Sequence, residues 1–213
     1  MRLVQVLYSP EKCFSEIGPG DWQLPLSAIA VIFLISLSLQ FLLVVLRLSA
    51  KFGSGLSILS FLGAFVLFVG NLLVYASVSW WVLNLVRGPP NYGVVLSVIS
   101  YAAYVRELAR LFMTISVAGY HIATGSPLTT GIAVRTDATI FLDKAIATGR
   151  LHSLASSLDI MTSGFIILVA FGFNASILRV RWSEAYVASS IPWAAWTLVK
   201  LAMADGRLEF LFR

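Results

Sequence analysis

The sequence predicts an all-α fold: a polytopic membrane helix bundle with five transmembrane helices, plus short amphipathic helices at the N-terminus and between spans. Three observations point there. The 213 residues are 59 % hydrophobic and only 12 % charged, about half the charge content of an ordinary soluble domain. Mean hydropathy is +0.89, and several uncharged stretches reach the roughly 20 apolar residues that one bilayer crossing needs. Clusters of Gly, Pro, Asn and Ser separate those stretches, as turns between helices require. This composition excludes an ordinary soluble domain, a disordered chain, a collagen and a coiled coil. A formal charge of +5 fits Lys and Arg in loops facing anionic headgroups, and no nucleic-acid partner is read from it. The lone Cys13 can form neither an internal disulfide nor a multi-thiolate metal site.

The first element is an N-terminal interfacial segment over residues 1–21, with no cleavable leader pattern. Ser9-Pro10-Glu11 reads as a helix start, with Ser9 as cap, Pro10 in the first turn and Glu11 at the positive helix end. The helix runs from Pro10 to about Ile17, sets Cys13, Phe14 and Ile17 on one face, and stops at Gly18-Pro19-Gly20. It can lie at the membrane interface or pack on the spans. Residues 24–46 form the first span, between Trp22 and the pair Arg47 and Lys51. After Gly53-Ser54-Gly55, residues 56–86 form a second, over-long span that must tilt or protrude. Trp80, Trp81 and Arg87 mark its interfacial end, and Gly88-Pro89-Pro90-Asn91 terminates it.

Residues 92–123 form the third span, one long helix interrupted in composition by Arg106, Glu107 and Arg110. Residues 124–158 carry charges throughout and form an extramembrane segment. Within it Ile140, Ala147, Leu151, Leu154 and Leu158 recur at helical spacing, predicting an amphipathic surface helix. Residues 160–178 are the fourth span, preceded by Asp159 as a helix-start carboxylate. Residues 185–204 are the fifth, with Pro192 inside and Lys200 able to snorkel outward. The whole chain, 1–213, reads as a single membrane domain without internal repeats. Lys and Arg fall on both sides, many of them in the long 124–158 segment where the charge rule carries little weight, so no orientation follows.

Arg106, Glu107 and Arg110 are the residues that most need explaining. Helical spacing sets the arginines one turn apart with Glu107 three residues before Arg110. A charge at bilayer centre costs on the order of 2.5–3.5 kcal/mol on insertion scales, so these side chains require mutual pairing, water or an anionic partner. One reading is a polar pocket inside the bundle, lined also by Tyr101 and Tyr104, that binds a lipid headgroup or small anion. The other is structural: the segment tilts or kinks so that the charges reach an interface, or Glu107 ties two helices together. His121 and His152 stand far apart without companions at metal-ligand spacing, and no nucleophile elbow, phosphate loop or metalloprotease motif occurs. No metal, cofactor or enzymatic activity is therefore expected. Asn71 and Asn174 read as interhelical hydrogen-bond donors, and Gly172 with Ser176 as a site of close helix packing.

The order of these elements resembles the Yip family of integral membrane proteins, named for interaction with Ypt/Rab-type GTPases. The resemblance rests on the start Tyr8-Ser9-Pro10-Glu11-Lys12-Cys13-Phe14-Ser15-Glu16-Ile17 and on Trp22 with the span that follows. It continues in the turn Gly88-Pro89-Pro90-Asn91-Tyr92-Gly93 and in Ser97-Val98-Ile99-Ser100-Tyr101-Ala102. Leu158-Asp159-Ile160 and Ala170-Phe171-Gly172-Phe173 complete it. Ser100 stands where the family has glycine, and Arg106 where many members have proline. The resemblance implies five spans and a non-enzymatic role in trafficking, membrane shaping or GTPase recruitment. For a prokaryotic-type chain it implies a multi-pass protein of the cell membrane that organises or adapts, with membrane lipids, a membrane protein or a second copy as partner. A GTPase partner does not follow, because the chain has no long cytosolic N-terminal region. The alternative function is a small transporter or channel for an anion or lipid that uses the Arg/Glu cluster.

Overall fold

The computed structural model describes residues 2–45, 58–125 and 154–204. Every regular element among them is an α-helix: α1 (Arg2–Tyr8), α2 (Pro10–Ser15), α3 (Gln23–Val45), α4 (Ile58–Arg87), α5 (Tyr92–Thr124), α6 (Ile160–Ala175) and α7 (Trp182–Ala204). The amphipathic helix expected around Ile140, Ala147 and Leu151 lies outside the described residues, apart from a single helical turn at 154–157.

The five long helices alternate in direction. A tight turn joins α4 to α5: Gly88 takes φ +91°, Asn91 caps α5 by accepting from the Gly93 amide at 2.9 Å, and Trp80 Nε1 donates to the Pro90 carbonyl at 2.8 Å. At the same end, α6 turns into α7 through Arg179, a non-glycine residue at φ +44°. Arg87 steadies that turn by donating to the Arg179 carbonyl at 2.6 Å and pairing with Glu184 at 3.3 Å. Asn174 donates to the Val180 carbonyl at 2.8 Å, so it closes this turn rather than bridging two helices. α5 is the central helix, packed on α3, α4 and α6, and α7 closes the bundle against α4 and α6. Phe33 of α3 meets Phe65 and Phe68 of α4 with ring centroids 5.7 and 5.4 Å apart.

The N-terminal segment wedges into this bundle. Its buried Phe14 packs edge-on against Phe171 of α6 at 6.2 Å, so the segment lies on the helix bundle. Two details differ from expectation. A further helix, α1, precedes Pro10, and the Ser9 hydroxyl makes no capping bond. Because α1 runs directly into α2, the Ser9 backbone is already engaged on both sides: its amide donates to Gln5 at 2.8 Å and its carbonyl accepts from Cys13 at 3.1 Å. Asp21 ties the segment together, pairing with Arg2 and accepting from the Gly18 amide at 2.7 Å. Ser97 of α5 donates to the Gly18 carbonyl at 3.0 Å.

Two glycines make this close approach possible. A Cβ on Gly93 would lie 2.5 Å from the Pro19 carbonyl oxygen, and one on Gly172 would lie 2.5 Å from Val98 and 3.1 Å from the Phe14 ring. Gly93→Ala is expected to cost about 1–3 kcal/mol from overpacking against rigid backbone and to lower the thermal midpoint in detergent. Gly119→Ala, at a position with open space around it, should be neutral or stabilising by up to about 1 kcal/mol through helix propensity. Equal midpoints for the two variants would contradict the packing.

The wedge also encloses Cys13, whose thiol is buried and faces the Arg2 carbonyl at 3.7 Å. Burial pushes its pKa up from 9.0 to about 11, with Arg2 opposing the shift. The folded state therefore favours the neutral thiol, and that contribution is complete below pH 9 and lost as the pH rises towards 11. Maleimide labelling of Cys13 should be slow at pH 7 in the native state and fast after denaturation, with native labelling accelerating sharply between pH 9 and 11. Rapid native labelling at pH 7 would show that the wedge does not cover the thiol.

Candidate functional site

Arg106, Glu107 and Arg110 lie on α5, which runs through them as one continuous helix. At 1.5 Å per residue, Arg106 sits about 21 Å along the helix from Tyr92 and Arg110 about 27 Å. Glu107 is buried, and its Oε1 accepts from Arg106 Nε at 2.9 Å and from Arg110 Nη1 at 3.2 Å. Both bonds stay within α5, so among the described residues Glu107 ties no second helix to it. That link is made by Asp159, whose Oδ2 lies 3.7 Å from Arg110 Nη2. Asp159 also caps α6, as its place before the span predicts: it accepts from the Met161 amide at 3.1 Å and from the Thr162 hydroxyl at 3.0 Å. Two arginines and two carboxylates thus form a charge-balanced network between α5 and α6. The Arg106 guanidinium lies over the Phe165 ring, 4.7 Å from its centroid, and 6.0 Å from that of Phe68, where the ring faces favour a cation.

A cavity of about 910 Å³ opens beside this network, between α4, α5 and α7. From α5 it is lined by Ile99, Ala103, Arg106, Arg110 and Met113, a stripe that recurs every three or four residues along one helix face, and by the adjacent Thr114. Tyr75 and Asn71 contribute from α4, Trp193 and Lys200 from α7, and Asp159 and Thr162 from the start of α6. Tyr75 donates to the Ser189 carbonyl and Trp193 Nε1 to the Ser157 carbonyl at 3.1 Å, fixing α7 against α4 and against the turn before α6.

Tyr101 and Tyr104, expected beside the arginines, are not part of the cavity wall. Tyr101 is fully buried on the opposite flank, close to Arg2, Cys13 and Asp21 of the N-terminal wedge. The reason is the helical step of about 100° per residue: Tyr104 is about 200° from Arg106 and Tyr101 about 140°, so neither shares its face. The same arithmetic picks out Ile99, Ala103 and Met113 instead. Asp159, Lys200 and Tyr75 come from other helices, and for them the sequence carries only an indirect signal: two arginines and one glutamate leave a charge that another element must balance. Asn71 stands exposed at the cavity, without an interhelical hydrogen bond among the described residues. His121 stands edge-on to Tyr120 at 5.6 Å, and His152 lies outside the described residues. Among those residues no group of three His, Cys, Asp or Glu side chains is placed to hold a metal ion.

Comparison with protein-family models, with curated proteins and with solved structures finds no match for this chain.

Glu107→Gln should cost about 3 kcal/mol, because it leaves the largely buried Arg106 guanidinium without its carboxylate partner. Arg110→Gln should cost less than about 1 kcal/mol, since the Arg110 side chain is 45 % exposed. Denaturant unfolding in detergent micelles distinguishes them, and a smaller loss for Glu107→Gln than for Arg110→Gln would refute this ordering.

Proposed function

We propose that the chain is an integral membrane protein crossing the bilayer five times, through α3 to α7, and that it works as a Yip-type organiser or adaptor. Its activity is association with lipids, a membrane protein or a second copy of itself rather than turnover. One observation carries the membrane reading. Among the described residues, the segment Leu62–Arg87 of α4 is long and apolar enough to cross a membrane, yet only 17 % of its apolar window is buried. A core helix of a soluble protein hides such a surface. Here Val66, Leu67, Val74 and Leu85 stand 63–69 % exposed, which water penalises and lipid accommodates.

The remaining helices are consistent with it. Gln23–Leu39 and Ile160–Ala175 are apolar but shorter. α5 carries its charges inward, onto Glu107, Asp159 and the cavity, as intramembrane ionisable groups do. Trp80, Trp81, Tyr92, Trp182 and Tyr186 gather at the end where α4 meets α5 and α6 meets α7, matching an interfacial aromatic belt. The order of elements supports the Yip-type reading. A second reading, a small transporter or channel for an anion or lipid, is favoured by the arginine-lined cavity.

The expected result is that the full chain stays with membranes through an alkaline carbonate wash. Single-cysteine reporters placed in the Gly88–Asn91 turn and after residue 204 should label from opposite sides. Release by carbonate, or labelling of both reporters from one side, would overturn the five-crossing arrangement. Between the two functions, Arg106→Leu and Arg110→Leu decide: a carrier loses anion or lipid flux in reconstituted vesicles while remaining folded, whereas an organiser shows no flux to lose.

A further inference from the structure

The cavity beside the charge network has a direction. Trp80 meets Tyr92 and Phe68 meets Arg106, so falling numbers on α4 and rising numbers on α5 lead the same way. At one end the wall is Val78, Leu72 and Ile99; at the other it is Arg106, Arg110 and Lys200. Apolar and cationic ends are thus separated along the bundle axis, and three of the lining side chains, Val74, Trp196 and Val199, are exposed apolar groups.

The cationic end is not fully neutralised. Arg106 engages a protein acceptor through Nε alone, which leaves the four Nη–H donors unused among the described residues. Those donors form the planar fork that suits a phosphate or carboxylate. Arg106 and Arg110 are balanced by Glu107 and Asp159, but Lys200 has no carboxylate within ion-pair distance among the described residues. Counted over the described residues alone, the charged groups at the cavity sum to one positive charge in excess. The Thr197 hydroxyl, also in the wall, has no hydrogen-bond partner among the described residues.

We infer that this cavity is a binding site for one anionic phospholipid, its phosphate on the free edge of Arg106 with Lys200 supplying the balancing charge, and its acyl chain lying along Val78, Val74 and Trp196. The occupant enters sideways from the bilayer. The site rests on the membrane reading of the chain and names its ligand. It uses one excess cation to select a monoanionic headgroup over a zwitterionic one of the same chain length.

The test is native mass spectrometry of the delipidated full chain in detergent. The probes are dioleoyl phosphatidylglycerol, dioleoyl phosphatidylcholine and glycerol 1-phosphate. Wild type should retain a single phosphatidylglycerol and prefer it over phosphatidylcholine by about tenfold. Arg106→Gln should erase that preference, and Lys200→Gln should lower it about fivefold. Arg181→Gln, exposed at the opposite end, should leave it unchanged. Lys200→Gln alters a partly exposed side chain that bears no ion pair among the described residues, so it reports even where Arg106→Gln unfolds. Equal retention of the two lipids, or an unchanged preference in Lys200→Gln, overturns the site. Displacement of phosphatidylglycerol by millimolar glycerol 1-phosphate would reassign the cavity to a soluble anion and overturn the lipid assignment. Loss of selectivity with carbonate-resistant membrane association would count against this site alone, whereas release by carbonate would remove the membrane reading beneath it.

Discussion

Two guanidinium groups set into an otherwise apolar helix are the constraint around which this bundle is arranged. Their charge cannot be left bare among hydrocarbon side chains, and the fold answers it with four devices. Glu107 bonds both arginines from within α5. Asp159 approaches Arg110 from the neighbouring helix. The Phe165 ring faces the Arg106 cation. An open cavity leaves the remaining donors in reach of a polar occupant. Asp159 serves twice, since the carboxylate that meets Arg110 also caps α6. The start of α6 and the level of the charge network along α5 are therefore one and the same position in the fold.

A second arrangement, at the other end, holds the N-terminal wedge. Phe14 can reach the bundle interior only because residue 172 has no side chain, and Pro19 can lie on α5 only because residue 93 has none. Around these contacts the Arg2–Asp21 pair and the Ser97 to Gly18 hydrogen bond close the segment. The wedge and the charge network lie on different faces of α5. That separation is why Tyr101 belongs to the wedge although only five positions divide it from Arg106.

Much of the architecture was legible from the residues. The helix limits follow from where charges and Gly-Pro clusters interrupt apolar runs: α3 and α7 begin, and α5 both begins and ends, within a few residues of the limits read from composition. α4 ends at Arg87 for the same reason. Asp159 as a cap and Gly172 as a close contact also follow from local rules. What local rules do not carry is partnership across helices. Nothing in the neighbourhood of Asp159 names Arg110, and nothing near Lys200 places it in a cavity with Arg106. The misplacement of Tyr101 and Tyr104 has a different origin, for the helical step alone separates them from Arg106. Proximity along the chain stood in there for angular position. α1 went unread because a seven-residue helix ahead of Pro10 leaves too short an apolar pattern to stand out from the wedge that follows.

The brevity of α6 has a consequence for the surrounding medium. Its 16 residues rise about 24 Å, while α4 and α5 with 30 and 33 residues rise about 45 and 50 Å. α6 is thus shorter than the roughly 30 Å hydrocarbon interior of a bilayer, whereas α4 and α5 are longer. In the membrane placement proposed above, that inequality of lengths would have to be met by tilt of the long helices or by local thinning of the lipid around the short one.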